Sequence, residues 1–326
     1  MKVLVLGGSG YIGSRVRQLL GAVAGIEVTS GSRHVRGGGD AGTVRIDSRD
    51  VTAMTAALRG RDCVVNCVAG DSTSIATGAG VLVRAALESG CGRIIHMSSM
   101  AVYGHAEGSV DEHHALDPTL GWYARAKCEA ESALDEYARQ GGNLVILRPG
   151  CVWGAGSELW VGRIGRWLRQ HRLGDLGPAG DGWTNLVHVD DVCTAVKHAL
   201  TVPVRGTKPL RVNLAAPDSP RWNDYFMDLA LAIGAVPIRR IGMRRLQLDA
   251  MILGPPLKIA ERLLRITRMR RDALRDAITP GLLGLWRQQI RLDSSLAEGA
   301  LGVHWTGYQS TLTEAAQWFT RAADAR

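Results

Sequence analysis

The sequence is poor in the features that tie a chain to a membrane, to a metal or to itself. Its longest uncharged apolar runs, such as 144–147 and 251–257, fall far short of the roughly 20 residues a membrane span needs. Its six cysteines, Cys63, Cys67, Cys91, Cys128, Cys151 and Cys193, include no Cys-x-x-Cys pair, so neither zinc nor a disulfide framework is expected. Two phenylalanines stand against nine tryptophans, and neither an internal repeat nor a low-complexity linker interrupts the chain. Met1-Lys2 runs directly into Val3-Leu4-Val5-Leu6 and then Gly7-Gly8. That apolar run is too short for a leader and reads as a strand entering a turn, which makes the cytoplasm the expected location. With 46% hydrophobic residues in 326, the chain can bury a full core in one or two domains.

Net charge is also missing from most of the chain. Segment 239–275 holds eleven Lys/Arg and three Asp/Glu and accounts for the whole net charge of +8, which argues against a general nucleic-acid surface. Within it Leu257, Ile259, Leu263, Leu264 and Ile266 interleave with Lys258, Arg262, Arg265 and Arg268, the pattern of a basic amphipathic helix. Three occupants stay open for this face: solvent or a second subunit, as in a homodimer; anionic lipid headgroups; or an acidic carrier protein or coenzyme A.

What the chain does contain is a strand-helix rhythm. Val3-Leu4-Val5-Leu6 leads into Gly7-Gly8-Ser9-Gly10-Tyr11-Ile12-Gly13, followed by Val16, Leu19 and Leu20 at helical spacing. Gly7 and Gly10 let a pyrophosphate approach the N–H groups at a helix start, and Gly13 lets that helix pack on its strand. Further strand-like runs at 26–29, 44–47, 63–68, 93–97 and 144–147 alternate with Ala/Leu-rich helical stretches. The fold class this predicts is α/β, a doubly wound parallel Rossmann sheet with a smaller carboxyl-terminal α+β lobe. In such a sheet chemistry collects at the carboxyl ends of the strands.

After the second strand, where an acid would bond the adenosine ribose, the chain has Gly31-Ser32-Arg33, with Arg36 nearby. A carboxylate there would repel a 2′-phosphate, whereas a hydroxyl and a guanidinium bind one, so NADP(H) is the expected cofactor. Past the strand ending at Met97 come Ser98-Ser99 and Val102-Tyr103-Gly104, then Tyr123-Ala124-Arg125-Ala126-Lys127 opening a helix. Four residues apart on a helix, Tyr123 and Lys127 share a face. The ammonium is expected to favour the phenolate and move its pKa down from about 10.

These motifs, with Asp47-Ser48, Asn66-Cys67-Val68-Ala69-Gly70, Arg148-Pro149-Gly150 and Asn185-Leu186-Val187-His188-Val189-Asp190-Asp191-Val192, resemble the extended short-chain dehydrogenase/reductases. That family includes nucleotide-sugar epimerases, dehydratases and 3β-hydroxysteroid dehydrogenases. The resemblance implies that Ser99 orients the substrate carbonyl, Tyr123 exchanges the proton, and Lys127 holds the nicotinamide ribose and tunes Tyr123, with Ser98 structural. It also implies a cofactor site made of Gly7, Ser9, Gly10, Tyr11, Ile12, Gly13, Ser32, Arg33, Asp47 and Ser48 (at the adenine), Cys67, Val68, Ala69, Gly70, Lys127, Arg148, Pro149, Gly150 and Val152, and no metal. Residues 1–150 would be the cofactor domain, with 183–215 returning to it, and 151–326 mainly a substrate lobe closed by 292–297 and 301–305. His188 is expected to be structural.

Departures from the pattern narrow the branch. Met100-Ala101 stands where dehydratases of this family carry an acidic pair, so dehydration is not expected. Nucleotide-sugar enzymes tend to place an Asn soon after the Arg-Pro strand end, and here Gly150-Cys151-Val152-Trp153 follows it. The nearest pattern is the 3β-hydroxysteroid dehydrogenase and dihydroflavonol reductase-like branch. The expected function is therefore NADP(H)-dependent interconversion of a ketone and a secondary alcohol on a small, apolar substrate. Trp153, Trp160, Trp167 and Trp183 would line its pocket or simply pack the lobe. The alternatives are a nucleotide-sugar 4-reductase or epimerase and, in another class, a silent NADP(H)-sensing regulator; retention of Ser99, Tyr123 and Lys127 disfavours the latter.

Overall fold

A computed structural model describes residues 1–33, 42–204, 206–253 and 276–324. Arg36, Lys258, Arg262, Arg265 and Arg268, which the sequence singles out, lie outside the described residues. By its internal contacts the chain divides into two compact units. The first comprises Met1–Val152, Val187–Pro217 and Leu292–Thr306, and the second Trp153–Leu186, Asp218–Arg291 and Gly307–Arg326.

The strands of the first unit are β1 (Lys2–Leu6), β2 (Glu27–Ser32), β3 (Thr43–Arg45), β4 (Cys63–Asn66), β5 (Arg93–Met97), β6 (Gly108–Val110), β7 (Asn143–Pro149) and β10 (Leu210–Leu214). Short strands β8 (Cys151–Trp153), β9 (Leu186–His188) and β11 (Ile290–Leu292) follow β7 and flank the returning segments. Seven strands form one sheet in the order β10-β7-β5-β4-β1-β2-β3, with every pair parallel. Successive residues of a strand point to opposite faces, and the core divides accordingly. Val3, Val5, Val145 and Leu147 pack with Val16 and Leu20 of α1 (Tyr11–Gly21) and Val192 and Val196 of α6 (Val189–Ala199). Leu4, Leu6, Leu144 and Ile146 pack with Met54 of α2 (Val51–Leu58), Leu82 of α3 (Ser72–Ser89) and Leu134 of α4 (Trp122–Arg139). Both faces are covered, which is why these strands read as unbroken apolar runs.

The segment Leu292–Thr306, expected to close the carboxyl-terminal lobe, belongs instead to the first unit. Ala297 and Leu301 of α10 (Ser295–Leu301) enter the α1/α6 core. Asn213 Nδ2 donates to the Asp293 carbonyl at 3.1 Å, and Thr306 N–H and Oγ1 donate to Asp191 at 2.9 and 2.7 Å.

The second unit holds α5 (Arg163–Arg169), α7 (Trp222–Ala232), α8 (Met243–Leu248), α9 (Pro280–Arg287) and α11 (Tyr308–Asp324). Its interior is aromatic. Trp153 packs edge-on to Tyr225 and stacks on Tyr308 with centroids 5.5 and 5.4 Å apart, Trp160 meets Trp222 at 5.6 Å, and Trp167 meets Trp286 at 6.2 Å. These tryptophans therefore build the lobe's own core. Trp183 differs in that the guanidiniums of Arg221 and Arg291 lie over its ring. Among the described residues no helix is long and apolar enough to cross a membrane.

Candidate active site

The turn after β1 is shaped by close backbone approach. Gly7 has φ +73°, and a Cβ there would sit 2.7 Å from the Cys67 carbonyl oxygen; one on Gly13 would sit 2.3 Å from the Gly7 carbonyl. No side chain with a Cβ fits either place. Gly10 is the amino-terminal cap of α1 and brings no side-chain cap of its own, which leaves the positive end of the helix suited to an anion. Leu6, Gly7, Ser9, Gly10, Gly31, Ser32, Arg33, Ile46, Ser48, Cys67, Val68 and Ala69 line one cleft of about 190 Å³. It thus brings together nine of the nineteen cofactor residues expected from the sequence, not Tyr11, Ile12, Gly13, Asp47, Gly70, Lys127, Arg148, Pro149, Gly150 or Val152, and adds Leu6, Gly31 and Ile46, whose apolar or absent side chains gave no chemical signal. Ser9 Oγ and Ser32 Oγ lie 3.1 Å apart. Asn66 Oδ1 accepts from Val68 N–H at 3.1 Å and holds the β4 loop in shape.

Arg33 stands at the rim, its charge felt by the carboxylates of Asp47 and Asp71. Asp47 does not line the cleft: Arg49 takes its carboxylate through two bonds of 3.1 and 2.8 Å, a pairing that pulls its pKa to about 2. Asp71 caps α3 by accepting from Ser74 N–H at 2.9 Å. The surroundings suit a nicotinamide dinucleotide. The glycine turn admits a pyrophosphate, and the polar groups at the second strand's end are hydroxyls and a guanidinium.

Ser99 lies two residues past β5 and caps the short turn Met100–Tyr103, its Oγ accepting from Ala101 N–H at 3.2 Å. The Tyr123 phenol lies close enough to the Ser99 side chain for that hydroxyl to lower its pKa, so two groups 24 positions apart meet where the resemblance implies the reaction. Lys127 is 2% exposed, lies 5.9 Å from the Tyr123 ring centroid and donates from Nζ to the Met97 carbonyl at 2.7 Å. Trp122, which the sequence reading passed over, packs edge-on to Tyr123 at 5.7 Å while 57% exposed.

The electrostatics differ from expectation in one respect. Tyr123 is shifted above its ordinary value, not below it, because burial penalises the phenolate and the Ser99 hydroxyl only partly offsets this. Lys127 moves the other way: burial lowers it from 10.5 to about 8, against the pull of nearby groups including Glu131. Spacing on a helix supplies the neighbour, but burial decides the sign.

Arg148, expected at the cofactor, is placed elsewhere. It is 1% exposed and bound to Glu131 by Nη2–Oε2 and Nε–Oε1 contacts of 2.6 and 3.1 Å. Its Nη1 donates to the Tyr103 hydroxyl at 2.8 Å, and Tyr103 donates to Asn213 Oδ1 at 2.6 Å. Ser98 Oγ donates to Glu131 Oε1 at 2.5 Å. This network lies four residues along α4 from Lys127 and directly before Ser99, so it fixes the backbone that carries the site. Glu131 gave no sequence signal beyond being an acid on a helix. Val152 is buried in the α1/α6 core. His188 caps α6, its Nδ1 accepting from Asp190 N–H at 3.3 Å, a structural role.

The profile of the NAD dependent epimerase/dehydratase family matches residues 3–215. The chain is 27% identical over 213 residues to the N-acetyl-alpha-D-glucosaminyl-diphospho-ditrans,octacis-undecaprenol 4-epimerase of Escherichia coli O157:H7, covering 61% of this chain and 62% of that protein. It is 32% identical over 156 residues to Protein YeeZ of Escherichia coli (strain K12), covering 48% of this chain and 52% of that one. The chain thus spans between half and two thirds of the length of these curated relatives. Among solved structures, MoeE5 in complex with UDP-glucose and NAD superposes with a TM-score of 0.73 at 20% identity, covering 99% of this chain and 100% of that one. The UDP-glucose 4-epimerase of Thermotoga maritima with UDP-glucose gives 0.72 at 19%, with the same coverage. At such identities the likeness speaks for the fold.

Proposed function

The chain belongs to the NAD-dependent epimerase/dehydratase family of enzymes, and we propose that it transfers hydride at a secondary carbinol carbon of a diphosphate-linked sugar, with epimerisation at that carbon as the net reaction. The observation that carries this reading is the meeting of Ser99 and Tyr123 with Lys127 behind them, in the same unit as the glycine-lined cleft. Support for the substrate class comes from the curated relative whose name is that of a glycosyl-diphospho-polyprenol 4-epimerase. The apolar-ketone reading loses one of its supports, since Trp153, Trp160 and Trp167 pack against other rings of the second unit. Gly150 and Cys151 offer a diphosphate no side-chain amide, so its contacts would come from other residues. A second reading, net reduction of a 4-keto sugar, is favoured by Ser32 and Arg33, which suit NADP(H) and hence the reduced cofactor pool.

A nicotinamide dinucleotide, when bound, accepts hydride from the carbinol carbon and returns it. Gly7, Ser9 and Gly10 would hold its pyrophosphate, and Ser32 and Arg33 its ribose phosphate. Ser99 would hydrogen-bond the substrate oxygen. Tyr123 would take the hydroxyl proton as hydride leaves and give it back on return, so that each half-reaction balances one hydride against one proton. Lys127, as ammonium, would stabilise the phenolate with which Tyr123 takes that proton. The test is product analysis with diphospho-sugars: an epimer formed without net cofactor turnover supports the reading, reduced product formed with matching NADPH loss supports the second, and neither product refutes both.

Two further results are expected. In Arg33→Ala, NADPH should bind about 10- to 150-fold more weakly while NADH is unchanged, since a charged hydrogen bond contributes about 1.5–3 kcal/mol. Equal loss of both cofactors would contradict the role given to Arg33. The rate should also fall as pH rises through about 8, because Lys127 loses its charge there. The fold should not weaken with it. A lysine depressed from 10.5 to about 8 holds fewer protons folded than unfolded between those values, so its contribution to stability grows with pH in that window. A rate that stays flat to pH 10, or one lost only with unfolding, would contradict this.

A further inference from the structure

In the second unit, α8 and the turn that continues it present a face that the proposed chemistry does not use. Leu246 and Ala250 are 1% exposed and seat the helix, and Ile241 just before it is also buried, its N–H donating to the Asp175 carbonyl at 2.8 Å. On the outward stripe Arg244, Leu248 and Met251 follow at i, i+4 and i+7. Leu248 is 57% and Met251 69% exposed, and Arg239, Arg240, Arg244 and Arg245 are all exposed. The one carboxylate in this stretch, Asp249, is taken by Arg172 through bonds of 2.9 and 2.6 Å. Only Arg240 has a carboxylate near it, Asp175 at 3.9 Å, among the described residues. Arg244 and Arg245 thus stand exposed on the same short helix as Leu248, with Met251 on the turn that continues it, and among the described residues neither has a carboxylate at ion-pair distance.

A solvated helix face seldom combines these groups, whereas an interfacial one requires them: cations drawn to anionic headgroups, and apolar tips that enter the headgroup–acyl boundary. An acidic protein would also satisfy the arginines; the anionic surface is favoured because it accepts the protruding tips of Leu248 and Met251 at the headgroup–acyl boundary without a shape-matched partner. We propose that the 239–251 face docks this protein on an anionic membrane surface. The proposal stands apart from the reaction assigned above.

The test is cosedimentation of the full chain with vesicles of phosphatidylglycerol and phosphatidylcholine, and with phosphatidylcholine alone. Binding is expected only to the mixed vesicles, weakening as salt rises. Arg244→Glu with Arg245→Glu should lower partitioning by about 25-fold or more, at about 5-fold per arginine. Leu248→Ser with Met251→Ser should also lower it. None of these changes touches the residues assigned to hydride transfer, so turnover of a water-soluble substrate should be unchanged and reports that the variants are folded. No binding to mixed vesicles, or binding indifferent to the arginine reversals, would overturn the proposal. So would displacement by soluble polyglutamate with no effect of Leu248→Ser and Met251→Ser, which would identify an acidic protein as the occupant.

Discussion

Tyr123→Phe should lower kcat by about 10²–10⁴-fold while leaving cofactor affinity close to unchanged, because only the proton-carrying hydroxyl is removed. The ring stays, so its edge-on contact with Trp122 and its place on α4 are kept. The raised pKa of Tyr123 makes its phenolate a stronger base for the substrate hydroxyl proton and keeps that proton on the phenol until hydride returns. Ser99→Ala should cost less, since Ser99 orients the substrate oxygen without carrying the proton. Lys127→Met should weaken both cofactor binding and rate, as that ammonium is assigned to the ribose and to the phenolate. If Tyr123→Phe keeps more than about a tenth of the wild-type kcat with chemistry rate-limiting, Tyr123 is not the proton carrier.

The other large effect is on the fold. Arg148→Met should destabilise by about 3–5 kcal/mol, because it strands the Glu131 carboxylate, 1% exposed, without its two guanidinium bonds. The double change Arg148→Met with Glu131→Met should be far less costly than the single changes summed, since it removes both charges from the interior. Denaturant unfolding of the four proteins in that cycle measures this directly. Additive losses would show that the pair does not act as a unit. Glu131→Gln has a second readout, because Glu131 counters the burial that depresses Lys127: the alkaline fall in rate should begin at a lower pH than in the wild type.

That network marks the boundary of what the sequence makes legible. The glycine turn, the strand runs and the Tyr123/Lys127 pair are written in local spacing, and local geometry alone turns them into a helix start, a buried strand and a shared helix face. Even the meeting of Ser99 with Tyr123 follows from where strand ends fall in a parallel sheet. Arg148 resists such reading because its environment depends on β7 and α4 packing together. From sequence an Arg-Pro-Gly strand end and a bound guanidinium look alike whether they face a cofactor or a buried acid. The phenol's shift resists it for the same reason, since a lysine four residues away is visible in sequence while the desolvation that outweighs it is not. The placement of 292–306 is a third case: its alliance with Asn213 and Asp191 is made in the folded first unit and leaves no periodic trace.

The most direct test of the hydride mechanism uses a diphospho-sugar carrying deuterium on the reacting carbon, incubated in ordinary water with cofactor and the wild-type protein. Hydride transfer assisted by Tyr123 predicts that the label stays on that carbon in the epimer, with no hydrogen drawn there from solvent, and that Tyr123→Phe slows conversion by about 10²–10⁴-fold. Epimer formed with loss of the label to water, or formed at an undiminished rate by Tyr123→Phe, would contradict the account.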